Sequence, residues 1–91
     1  MAFLDDAKGK LPREGKGAFV SAMLIAFIRD NKIKNAKELG RKLSAGMDKC
    51  REWLVKNKPP TSTASTEQRE YTRKLEQLSL MLKAAEKYME V

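Results

Sequence analysis

Apolar positions recur along this chain in four different rhythms, and each rhythm predicts its own element. From Ala18 to Ile28 the residues are apolar with Ser21 as the single polar interruption. A surface helix shows one apolar stripe, so a segment apolar on every side predicts a helix enclosed by its neighbours. Those 11 residues fall well short of the roughly 20 that a membrane span needs. A buried central helix over 18–31 is therefore expected, beginning near Gly17, with the other elements packed around it. Ahead of it, Phe3, Leu4, Ala7 and Leu11 share one side of a short helix or docked arm over 3–11.

The second half is amphipathic instead. Ala36, Leu39, Leu43, Met47, Cys50 and Leu54 are separated by 3, 4, 4, 3 and 4 residues, which fits one helix from 35 to 57. Asn35 can cap its first turn, and Glu38 can reach back to complete a capping box. Gly40, Ser44 and Gly46 interrupt the run, and each interior glycine lowers helix propensity by roughly 0.8–1 kcal/mol. Two shorter helices joined by a turn fit the same stretch.

Pro59 and Pro60 forbid continuation of that helix, and a Pro/Ser/Thr connector over 59–65 follows. Ser65-Thr-Glu-Gln68 is a second capping box. It opens a final helix over 66–89, on which Tyr71, Leu75, Leu78, Leu82, Ala85 and Met89 recur at spacings of 4, 3, 4, 3 and 4. That is a heptad seam. It can pair with the twin seam of a second copy, and these six residues are the candidate oligomerisation surface. Met81 and Tyr88 widen the stripe, which equally suits a helix lying on the protein's own core. No stretch shows the strict alternation of a half-buried strand. The expected fold is all-α: one domain over 1–91, a small bundle of about four helices around the 18–31 segment.

Charge changes the picture from architecture to partners. The net charge is +7, and it is uneven. Residues 8–58 carry 14 Lys/Arg against five Asp/Glu, whereas residues 59–91 carry five of each. A positive excess confined to the first two-thirds attracts polyanions such as DNA or RNA. Lysines solvating an ordinary helical surface would give similar numbers. Catalysis has little to work with. The chain has no histidine and one cysteine, Cys50, so imidazole-based acid–base chemistry, Ser/His or Cys/His nucleophiles and a Cys/His zinc site are excluded. A lone cysteine makes no internal disulfide and suits a reducing, cytoplasmic setting. Gly9 to Gly17 has the look of a phosphate cradle, but a P-loop requires four residues between its glycines and a hydroxyl after the lysine. Here the spacing is five and Gly17 stands in the hydroxyl position. No enzyme activity, cofactor or metal is expected.

The stretch Glu38-Leu-Gly-Arg-Lys-Leu-Ser-Ala-Gly-Met-Asp-Lys-Cys-Arg-Glu-Trp-Leu54 resembles the helix-turn-helix DNA-binding superfamily. Leu39 and Leu43 stand where the first helix of that motif packs inward, Gly40 where the two helices touch, and Ala45, Cys50 and Trp53 at the inward positions of the turn and second helix. The resemblance implies a recognition helix in the major groove whose outward residues meet base edges. Asp48 and Glu52 would put two negative charges on that face. Candidate DNA-binding residues are Lys37, Arg41, Lys42, Met47, Lys49, Arg51, Lys56 and Lys58. The expected function is a small basic DNA-binding regulator, dimeric through its last helix. The alternative is a non-enzymatic helical adaptor or inhibitor whose basic surface meets an acidic protein partner.

Overall fold

The computed structural model describes residues 2–57 and 65–91. It is an all-α bundle: α1 spans Ala2–Lys10, α2 Gly17–Asp30, α3 Ala36–Lys56 and α4 Thr66–Met89, with no strand among the described residues. The connector expected over 59–65 lies outside the described residues apart from Ser65.

The main packing interface joins the two amphipathic helices, α3 and α4; α2 leans on α4, and α1 rests on both α2 and α4. Leu39, Leu43, Met47 and Cys50 of α3 meet Leu78, Met81, Ala85 and Met89 of α4 in one core, which Leu24, Ile28, Ile33, Ala7 and Leu11 extend. Leu24, Ile28, Ile33, Leu39 and Leu43 are the largest wholly buried side chains, each contributing about 1.5–3 kcal/mol of apolar burial.

The centre of the molecule is therefore not α2. Only Ser21, Leu24 and Ile28 of that helix are buried. Phe19 is 68% exposed, and Ala22 beside it is exposed as well. An all-round apolar sequence licensed burial on every side, but no described element covers the side that carries Phe19 and Ala22. Ser21 fits the buried side because its hydroxyl donates to the Gly17 carbonyl at 2.9 Å.

Residues 36–56 form one unbroken helix, and the turn expected at Ser44–Gly46 does not occur. Two forces hold it straight. Asn35 Oδ1 accepts from the Glu38 N–H at 2.8 Å, fixing the start, and the 3–4 spacing of apolar residues buries a continuous stripe against α4. The glycines serve close packing rather than a bend. A Cβ on Gly46 would lie 3.1 Å from Leu78 Cδ1, and one on Gly40 only 2.6 Å from Val91 Cγ1. Gly40 thus accommodates Val91, two residues past the end of α4, not the second helix of a helix-turn-helix unit.

The second capping box forms in full. Ser65 Oγ accepts from the Gln68 N–H, and Gln68 Oε1 accepts from the Ser65 N–H. Gln68 is buried and also donates its amide N–H to the Asn57 carbonyl, tying the end of α3 to the start of α4. Trp53 stacks on Tyr71 at the same end, ring centroids 4.0 Å apart and planes within 9°. The seam from Tyr71 to Met89 faces inward: Leu78, Ala85 and Met89 are buried, and Tyr71, Leu75 and Leu82 pack against the same core.

Candidate nucleic-acid interface

The cations of residues 8–58 divide into those with a carboxylate partner and those without. Along the second half of α3, Arg51 bonds Asp48 at 3.4 Å and Lys56 bonds Glu52 at 2.7 Å. These are i, i+3 and i, i+4 pairs on a solvated face, each contributing only about 0.3–0.5 kcal/mol to stability. Their effect on the field is larger, because they make the face that a recognition helix would offer to phosphates nearly neutral. Lys10 and Arg29 are likewise paired, with Asp6 at 3.1 Å and Asp30 at 3.2 Å.

The corner between α2 and α3 differs. Lys32, Lys34, Lys37, Arg41 and Lys42 are all exposed, and none forms an ion pair among the described residues. The single carboxylate in this stretch, Glu38, accepts from the Lys34 backbone N–H at 3.4 Å. That contact also modifies the first capping box, since Glu38 reaches the residue before the cap rather than Asn35. Lys37 and Arg41 lie one turn apart on the same row of α3, and Lys42 is turned about 100° further. Cations gathered over the first turns of a helix add to the positive end of its dipole instead of opposing it. This arrangement lowers stability and concentrates positive potential.

Backbone geometry at the corner points the same way. Lys32 has φ of 51°, the left-handed region. α2 ends in a Schellman motif: the Ile33 N–H donates to the Ile28 carbonyl at 3.0 Å and the Lys32 N–H to the Arg29 carbonyl at 3.3 Å. Glycine is the usual occupant of that left-handed position. A side chain there costs roughly 1–2 kcal/mol, and here that side chain is a lysine.

Of the residues proposed from sequence, Lys37, Arg41 and Lys42 come together at this corner. Lys49, Arg51 and Lys56 are exposed but lie further along α3, the last two in ion pairs. Met47 is buried, 8% exposed, and its place in the α3–α4 core removes it from any DNA-facing set. Lys58 lies outside the described residues. Lys32 and Lys34 were missed, because the motif spacing drew attention to 47–57. Counting charge in a short window over 32–42 would have found them.

Among the described residues no three His, Cys, Asp or Glu side chains are grouped to hold a metal ion, and no helix is long and apolar enough to cross a membrane. Comparison with protein-family models, curated proteins and solved structures finds no match.

Proposed function

We propose that this chain works by binding rather than catalysis, and that it holds duplex DNA through the phosphates at the α2–α3 corner, as a small basic regulator would. The observation that carries this reading is the set of five exposed cations, Lys32, Lys34, Lys37, Arg41 and Lys42, without ion-pair partners among the described residues. Contact is made by the first half of an unbroken α3 and the turn before it, not by a second helix of a helix-turn-helix unit.

Counterion release makes this quantitative. The slope of log affinity against log salt is about −0.9 per phosphate neutralised. Five contacts give a slope of about −4.5, and the double variant Lys37→Ala/Arg41→Ala should reduce its magnitude by about 2. Lys87→Ala on the charge-balanced α4 is the matched control. Arg51→Ala should also change little, because Arg51 is held by Asp48. Titration of random duplex DNA at several salt concentrations decides the matter. No binding near 50 mM salt, a level within the range where such contacts are measured, or an unchanged slope in the double variant, removes this reading.

A further inference from the structure

A second surface, which shares Lys32 and Lys34 with the α2–α3 corner, carries a signature of its own. α1 and α2 run side by side, and a cleft opens at each end of the pair. One, of about 320 Å³, is floored by Leu11, Pro12, Ala18, Ala22 and Ile25 and rimmed by Lys8 and Arg13. The other, of about 510 Å³, has Phe3 in its floor and Arg29, Lys32 and Lys34 at its rim. Between them lies the side of α2 that no described element covers. From Ala18 to Arg29 the distance along the helix is about 17 Å, close to three helical turns. The two clefts are lined by five cations and, among the described residues, by no carboxylate. Phe19 stands at the edge of this strip, 68% exposed.

We propose that this strip docks an acidic amphipathic helix of a protein partner. Such a helix has apolar anchors at i, i+3/i+4 and i+7, which enter the apolar floor. Asp or Glu in its first and last turns meets Lys8 and Arg13 at one end and Lys32 and Lys34 at the other. Arg29 is the weakest of the five, being already engaged by Asp30. Charge complementarity selects this occupant over a second copy. Two copies joined through this strip bring cationic ends against cationic ends whether they run parallel or antiparallel, and like charges juxtaposed across an interface are unfavourable. The recessed floor suits a helix, with its single row of projecting side chains, better than a flat lipid surface.

The test uses the full chain and a synthetic helical peptide of about three to four turns, with leucines at i, i+3, i+4 and i+7 and glutamates in both end turns. Binding is followed by fluorescence anisotropy and by amide shifts in the ¹⁵N-labelled protein. The expected result is saturable binding with shifts concentrated at Ala18–Ile25, Phe3 and Lys32. Ala22→Glu should weaken it by about tenfold or more, as should replacing the peptide glutamates with lysine. Phe19→Glu is the second variant, at a side chain too exposed to disturb the core, and circular dichroism confirms that both variants fold. Four results overturn the proposal. They are no binding at millimolar peptide, binding indifferent to both variants, self-association of the chain abolished by Ala22→Glu, and binding to phosphatidylserine vesicles abolished by Ala22→Glu. Titrating duplex DNA against the same variants separates the two readings: both surfaces use Lys32 and Lys34, but neither substitution alters any of the five corner cations, so DNA binding should persist where peptide binding is lost.

Discussion

The α3–α4 pair and the α1–α2 pair cover apolar surface in opposite ways. α3 and α4 each carry one apolar stripe and bury it mainly against each other, leaving mostly polar outer faces on which the ion pairs Arg51–Asp48 and Lys56–Glu52 lie along α3. α2 carries apolar residues all round, and its side bearing Phe19 and Ala22 has no described element over it. The most hydrophobic helix still keeps a large aromatic side chain, Phe19, mostly in water. Hydrophobicity sets how much surface could be buried, but burial itself needs a neighbour to cover it, and no described element lies over the Phe19 side of α2. The α3–α4 interface is thus closed, while α2 leaves an apolar strip exposed and the start of α3, with the turn before it, leaves a cationic corner.

Substitutions can break or sharpen this contrast. The largest effect is expected in the closed pair. Leu43→Ala removes a wholly buried side chain and should cost about 2–5 kcal/mol, enough to unfold much of a domain whose total stability is typically only about 5–15 kcal/mol. Urea titration followed by circular dichroism measures it; a loss below about 1 kcal/mol would deny α3 its place in the core.

A smaller change of opposite sign is expected at the corner. Lys32→Gly relieves a left-handed side chain worth roughly 1–2 kcal/mol against an entropic penalty of about 0.5–1 kcal/mol for glycine. The variant should gain up to about 1 kcal/mol, seen as a rise of roughly 4–8 °C in Tm for a domain of this size. DNA binding should weaken at the same time. More stability with less binding is the signature of a residue retained for its charge, and loss of both would mark Lys32 as structural.

The smallest effect is expected on the open side of α2. Phe19→Ser should change stability by no more than about 0.5 kcal/mol, because the ring is mostly in water. A large destabilisation in thermal melts would mean that the strip is covered in solution.

Much of the fold is legible in the sequence. The boundaries of α4, both helix starts at Asn35 and Ser65, and the inward row of α3 follow from 3–4 spacing and capping chemistry, which act within a turn or two. Two features were not legible. Whether Gly40 and Gly46 break a helix depends on what lies beside them, and Val91 and Leu78 are 51 and 32 residues away in the chain. Whether α2 is enclosed depends on how many stripes are available to cover it, which periodicity within α2 does not encode. For the candidate interface, Lys37, Arg41 and Lys42 were visible as charges. That Arg51 and Lys56 are neutralised while Lys32 and Lys34 stand unpaired required the ion-pair geometry.

The stacking of Trp53 on Tyr71 has a practical consequence. Trp53 is the only tryptophan of the chain, and its ring lies parallel to that of Tyr71, joining the last turns of α3 to the first turns of α4. Its emission is therefore an intrinsic optical reporter of whether those two helices are together, and it is blind to α1 and α2. Backbone ellipticity, by contrast, weighs all four helices. If the two signals are lost at the same denaturant concentration, the open half melts with the closed one. If ellipticity begins to fall while Trp53 emission holds, α1 and α2 detach first and leave the α3–α4 hairpin standing.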